Sequence, residues 1–245
     1  MKKIFFVSSS RADYGLLRDV IIETQKINKE TYLIVTGSHL SNKFGNTISE
    51  IKKDKIKKII KKKLLGKNFE DVDISNYVAK SIKITAEVIL KKKPDVIVIL
   101  GDRFELLGSA IAAMTFRIPI AHIHGGEVTQ GAFDDSIRHS ISKLSHLHFP
   151  IHHRYKKRLI NLGENPKTIF NYGGLGAHSI SKTNFLSQTE LETLLNIDLN
   201  KKIILVTFHP VTLEKNKSKY QIQNLIKFLD NLNNKIIIIT STNFD

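Results

Sequence analysis

The sequence predicts an α/β protein: a complete doubly wound parallel sheet followed by the start of a second one. Three observations carry this. Short β-branched runs alternate with amphipathic helical stretches, the pattern of successive βαβ units. The apolar fraction is 41%, enough for a buried core. A glycine cluster, Tyr172-Gly173-Gly174-Leu175-Gly176, interrupts the pattern, which then restarts.

The expected strands of the first sheet are residues 4–8, 32–36, 96–100, 120–123, 146–149 and 168–171. The first, within Met1-Lys2-Lys3-Ile4-Phe5-Phe6-Val7, stops at Ser8. It is too short for the apolar region of a signal peptide and fits one buried strand. Helical spacing appears at Leu16, Val20 and Ile21, again at Val78, Ile82, Ala86 and Ile89, and at Leu107, Ala110, Ile111 and Met114. The basic run 52–63 interleaves Ile56, Ile59 and Ile60 with lysines, which predicts a solvated face over a core-facing one. After the glycines, the polar stretch 179–184 reads as hinge or linker. Leu191, Leu194 and Leu195 then mark a helix, 203–207 a strand, 222–232 a helix and 235–240 a strand. The expected organisation is a first domain over 1–172, a linker over 173–187 and a partial second domain over 188–245.

The net charge is +15, from 38 Lys and Arg against 23 Asp and Glu. The basic runs are lysine-dominated, with neither interleaved aromatics nor an Arg-rich motif, so they do not read as a nucleic-acid footprint. The absence of cysteine rules out disulfides and thiolate metal sites. No segment approaches the length of a membrane span, and the expected location is the cytoplasm.

In open parallel sheets, ligands bind beyond the carboxyl ends of the strands. Polar clusters gather there: Ser8-Ser9-Ser10-Arg11-Ala12-Asp13, Gly37-Ser38-His39, Gly101-Asp102-Arg103, His122-Ile123-His124-Gly125-Gly126-Glu127, and in the second half His209-Pro210 and Asn243. Residues 8–11 before a helix offer backbone N–H groups and a guanidinium suited to phosphate or carboxylate. They could equally form an ordinary capped turn. Asp102 opens a helix as a cap or as an acid/base facing the crevice, with Arg103 beside it. His122-x-His124-x-x-Glu127 has a metal-like spacing, but further ligands are missing, and Glu127 suits acid/base work better. Asp134 and Arg138, one helical turn apart, can face one site.

Ser10-Arg11-Ala12-Asp13-Tyr14-Gly15, Gly101-Asp102-Arg103-Phe104-Glu105, residues 122–127, residues 134–144 and Phe208-His209-Pro210-Val211-Thr212 occur in that order. Together they resemble the hydrolysing UDP-N-acetylglucosamine 2-epimerases of sialic acid biosynthesis, over essentially the whole chain. The resemblance implies the GT-B architecture of two Rossmann-like domains. It implies release of UDP and N-acetylmannosamine without metal or redox cofactor, through loss of the C2 proton with departure of UDP, then addition of water. It also implies that Asp102, Glu127 and Asp134 form the acid/base group. Arg11, Arg103, Arg138 and His209 would contact the substrate or its phosphates, with Gly15 and Asn243 close by. A related UDP-diacetamido-trideoxyhexose is an alternative substrate, and a nucleotide-sugar-binding fragment without activity an alternative function. The family continues past the position of Asp245 with a Gly/Ser-rich loop, so the chain is expected to be C-terminally truncated, with a separately encoded C-terminal half as one possible partner. Homo-oligomers are implied by resemblance. Ala177-His178 departs from an acidic residue and Asn in relatives.

Overall fold

The computed structural model describes residues 1–66, 68–211, 214 and 217–240. It divides into two compact units: Met1–Thr129 with Asp134–Ser181, and Gln130–Phe133 with Lys182–Asp245.

The first unit is built from β1 (Ile4–Ser8), α1 (Arg11–Ile27), β2 (Thr31–Val35), α2 (Ile48–Lys53), β3 (Ile59–Lys61), α3 (Asp71–Lys92), β4 (Val96–Leu100), α4 (Phe104–Thr115), β5 (Ile120–Ile123), α5 (Asp134–Leu144), β6 (Leu147–Phe149), α6 (His153–Asn161) and α7 (Leu175–Ser181). Its strands form a parallel sheet in the order β3-β2-β1-β4-β5-β6. The order reverses direction at β1, between β2 and β4. Right-handed crossovers then place α1 on one face and α3, α4 and α5 on the other. Strand alternation matches this. Phe6, Leu33, Val98 and Ala121 pack in the core cluster with Tyr14, Leu17 and Ile21 of α1, while Phe5, Ile97, Ile99 and Ile120 are fully buried on the opposite side. Where the α1 face continues past that helix, Phe6, Val98, Leu147, Phe149 and Leu175 line an apolar groove of about 420 Å³.

Several local expectations shift. The run 52–63 is not one amphipathic element: α2 ends at Lys53, and Ile59–Lys61 is the edge strand β3. A short Ile59-Ile60-Lys61 strand flanked by lysines suits an edge. On α3 the buried face centres on Tyr77, Ser81, Thr85 and Val88 rather than Val78, Ile82 and Ala86. The reason is α4, which crosses it closely. A Cβ on Gly108 would sit 2.6 Å from Ser81 Cβ and 2.7 Å from the Val78 carbonyl. Ser109 Oγ lies 2.9 Å from Thr85 Oγ1, so small polar side chains occupy the contact. Helix α4 is buried on most sides, and Met114, expected in its core face, is exposed.

Residues 168–171 form no strand. A turn at Pro166–Thr168, opened by Asn165, leaves Ile169 a single parallel bridge to His148. Part of the expected linker folds: α7 packs against α1, because Leu175 joins the edge of the core.

The second unit contains α8 (Gln188–Leu195), β7 (Lys202–Val206), α9 (Ser218–Asp230) and β8 (Lys235–Ile239), with β7 and β8 paired in parallel. A β-α-β unit of this kind is the expected start of a second doubly wound sheet. Among the described residues no helix is long and apolar enough to cross a membrane.

Candidate active site

The candidate residues of the first unit lie at the C-terminal edge of its sheet, where the strand order reverses at β1. At the end of β1, Ser10 caps α1 in a reciprocal capping box with Asp13. The expectation of free N–H groups over 8–11 is corrected here. Asp13, 4% exposed, turns its own carboxylate back onto them. The Ser9 and Ser10 amides donate to Asp13 Oδ2 at 2.9 and 3.1 Å, and the Ser9 hydroxyl does so at 2.9 Å. The Ser8 hydroxyl donates to Asp13 Oδ1. His39 Nε2 lies 2.9 Å from Ser8 Oγ, and its Nδ1 lies 2.7 Å from Thr47 Oγ1. Burial pushes the Asp13 carboxyl up, but the His39 and Ser8 contacts and the Ser9 amide outweigh it and hold it below the usual range. Gly37 at φ +58 lets β2's exit approach this turn: a Cβ there would lie 2.3 Å from the Ser9 carbonyl.

Arg11 starts α1, exposed, with Nε 3.3 Å from Glu50 Oε2. Gly15 lies in α1 with no atom within 4 Å of an added Cβ. Open space at that surface is compatible with a bound neighbour.

The ends of β4 and β5 are locked together. Leu100 pairs with Ile123, and the Gly101 amide donates to the Ile123 carbonyl at 3.0 Å. Gly101, at φ +82, turns the chain into Asp102. His122 lies wholly buried behind this turn. Its Nε2–H donates to the Gly101 carbonyl at 2.8 Å, and Ser142 Oγ lies 3.1 Å from Nδ1. Burial lowers its pKa to about 4, against the opposing effect of the Gly101 bond. His122 is thus a core histidine. Both His122 nitrogens are spent inside the core, and the chain leaves the strand at His124, with φ +64, so the two rings do not continue one strand face.

Asp102 pairs with Arg138 Nη2. Arg138 is 6% exposed. Its Nη1 donates to Thr129 Oγ1 at 3.1 Å and lies 3.6 Å from Asp135 Oδ1. Burial lowers the Arg138 pKa. Asp135 accepts the Thr129 amide at 3.0 Å, so the first turn of α5 ties down the loop that follows Glu127. Asp134 is half-buried at the start of α5. Arg103 sits before α4 with Nε 3.3 Å from Glu105 Oε2, and burial raises the Glu105 pKa although Arg103 pulls it down.

His124 and Glu127 lie side by side, with Nδ1 2.9 Å from Oε1. Their turn is braced by α6. A Cβ on Gly126, at φ +79, would sit 2.6 Å from the Tyr155 carbonyl, and Arg158 Nη1 donates to the Gly126 carbonyl at 2.6 Å.

The structure therefore brings Asp102 together with Arg138, and Glu127 with His124, at adjacent strand ends. Arg11 belongs to the same edge. His209 lies exposed in the loop after β7, in the second unit, and Asn243 lies outside the described residues. Sequence reasoning missed Asp13, whose signal was the S-x-x-D capping spacing, and the brace formed by Tyr155 and Arg158, which has no short-range signature.

Residues 22–245 match the family model of UDP-N-acetylglucosamine 2-epimerase. The chain is 43% identical to the GDP/UDP-N,N'-diacetylbacillosamine 2-epimerase (hydrolyzing) of Campylobacter jejuni, covering 100% of this chain and 64% of that protein. It is 38% identical to the UDP-N,N'-diacetylbacillosamine 2-epimerase (hydrolyzing) of Legionella pneumophila, covering 93% and 60%. It is 37% identical to polysialic acid biosynthesis protein P7 of Escherichia coli, covering 97% and 62%. The chain thus spans a little over three fifths of the length of these relatives. In fold it is similar to the UDP-GlcNAc 2-epimerase of Neisseria meningitidis bound to UDP-GlcNAc, with TM-score 0.77, 19% identity, and coverage of 98% of this chain and 73% of that one. It is likewise similar to the Methanocaldococcus jannaschii enzyme in complex with UDP-GlcNAc and UDP, with TM-score 0.75, 21% identity, and coverage of 98% and 66%. The fold is accordingly α/β of the GT-B-like type, and the chain belongs to the UDP-N-acetylglucosamine 2-epimerase family.

Proposed function

We propose that this chain carries the sugar-handling part of a hydrolysing 2-epimerase acting on a UDP-activated 2-acetamido sugar. The observation that supports this most is the pairing of Asp102 with Arg138 and of Glu127 with His124 at adjacent strand ends. That arrangement places acid/base groups and a cation within one small area. Inverting C2 while UDP leaves C1 needs such a set: one group to take the C2 proton, and another to return a proton from the opposite face after a glycal-like intermediate forms. Asp102, Glu127 and Asp134 are assigned to this acid/base group, with Arg138 holding Asp102. Arg11 and Arg103 are assigned to the diphosphate, with Gly15 beside the substrate. His209 and Asn243 are assigned to nucleotide contacts of the second unit. A cytoplasmic location and homo-oligomerisation belong to the same reading, as does a separately encoded C-terminal half as a partner.

On the substrate, the relatives weigh against the expectation of UDP-N-acetylglucosamine giving N-acetylmannosamine. Two of the three relatives carry N,N'-diacetylbacillosamine, a 2,4-diacetamido-2,4,6-trideoxyhexose, in their names. We assign that sugar. Comparing kcat/KM for UDP-N,N'-diacetylbacillosamine and UDP-N-acetylglucosamine in the complete gene product tests it. The expected preference is tenfold or more for the diacetamido sugar. Equal or reversed values overturn the substrate, and absence of UDP release from both overturns the function.

A further inference from the structure

We infer that His124, rather than Glu127 itself, takes the proton from the sugar's C2, and that the part of Glu127 in the acid/base group is to act through His124 as a positioning residue. The inference rests on the epimerase reading above. His124 is the first residue beyond β5, and Asp102 the second beyond β4. The Leu100–Ile123 pairing and the bond from the Gly101 amide to the Ile123 carbonyl make them neighbours on the edge where substrate chemistry belongs.

His124 is held in an unusual way. Its backbone lies at φ +64, a left-handed conformation that favours glycine and strains a histidine. The fold maintains it from both sides. The His124 amide donates to the Phe149 carbonyl at 3.1 Å, and the next turn is pinned where Gly126 meets Tyr155 and Arg158. The ring has a carboxylate beside one nitrogen and nothing beside the other, and Glu127 Oε1 itself makes no hydrogen bond among the described residues in this arrangement. Nδ1 lies 2.9 Å from Glu127 Oε1, whereas Nε2 is shielded from solvent and has no hydrogen-bond partner among the described residues. A shielded nitrogen without a partner is costly in a purely structural histidine. His122, two residues earlier, shows the structural alternative, with both nitrogens engaged inside the core.

A small turn of the ring lets Nδ1–H donate to the neighbouring Glu127 carboxylate, and that tautomer leaves the Nε2 lone pair as a base. In the proposed step, Nε2 takes the C2 proton. The C2–H electron pair becomes the C1–C2 π bond, and the C1–O pair leaves with UDP. The resulting imidazolium is stabilised by the Glu127 carboxylate. Water then supplies oxygen to C1, and a proton returns to C2 from a group on the opposite face. The sum is substrate plus water giving UDP and the C2-epimeric free sugar.

His124→Gly tests this. Glycine accepts φ +64 without strain and leaves a space the size of an imidazole ring. In the complete gene product, with UDP-N,N'-diacetylbacillosamine and UDP-N-acetylglucosamine both offered, His124→Gly is expected to lose at least 100-fold in kcat with little change in KM. Added imidazole should restore at least tenfold of that loss. Circular dichroism and the melting temperature should match wild type. His124→Asn, which also tolerates a positive φ, should be equally slow and insensitive to imidazole. Glu127→Gln should lower kcat less than His124→Gly does. A His124→Gly enzyme that keeps a tenth of wild-type turnover, or that imidazole does not restore, overturns the assignment. A wild-type protein that releases no UDP overturns the functional reading itself, which separates the two failures.

Discussion

At the scale of single residues, the candidate site is a set of charged groups whose partners decide what each can do. Arg138 shows this best. Sequence spacing set it beside Asp134 as a substrate contact, yet its guanidinium reaches Asp102 and Thr129 and lies near Asp135. No spacing rule could reveal that, because Asp102 is 36 residues away and arrives through the β4–β5 register. Replacing Arg138 by Gln leaves a partly buried carboxylate without its cation. The expected cost is about 3 kcal/mol of stability, read from urea unfolding. Turnover is expected to fall by roughly 100-fold, because Asp102 loses its fixed orientation. Arg138→Lys should recover little of either, since an ammonium cannot serve Asp102 and Thr129 with the same fork. Asp13 carries the complementary lesson. A turn that reads as an anion site is already filled by the chain's own carboxylate, so the surface cation Arg11 is what remains for a ligand.

At the scale of elements, β1, β4 and β5 were fully legible, since runs such as Val96-Ile97-Val98-Ile99-Leu100 have no other use than a buried parallel strand. Less legible were elements whose burial depends on a neighbour. The face of α3 was misread because Ser81 and Thr85 are buried by the glycine of α4, which apolar periodicity does not register. The edge strand β3 hid among lysines. His122 joins β5 to the β4 turn and to α5, and this has a consequence for pH. Its folded pKa of about 4 lies below the ordinary 6.5. Between those values the unfolded chain binds a proton that the folded one refuses, so stability falls as pH drops from 6.5 towards 4 and levels off below. The gap corresponds to about 3 kcal/mol. Burial lowers the His148 pKa as well, adding the same sign. Urea midpoints measured from pH 7.5 to 4.5 should therefore decline, and His122→Gln should flatten the decline although it lowers the midpoint at neutral pH. A variant as steep as wild type would show that His122 is not the group responsible.

At the scale of the whole molecule, the first unit carries a sheet with a well-filled core, and the second carries a β-α-β start whose strands keep Leu205 and Ile239 exposed. The glycine cluster and the restart of the pattern are what pointed to two Rossmann-like parts. The folded status of α7 was not readable in the sequence, because its anchoring to α1 is a tertiary contact. Family membership, the GT-B-like fold and the paired groups at the strand ends support the proposed chemistry at C2 of a nucleotide sugar. The most direct test is to run the complete gene product in D₂O with UDP-N,N'-diacetylbacillosamine and UDP-N-acetylglucosamine, following products by NMR. The account predicts UDP together with a free sugar inverted at C2 and carrying deuterium there. UDP release with the original configuration and the original C2 proton would contradict it.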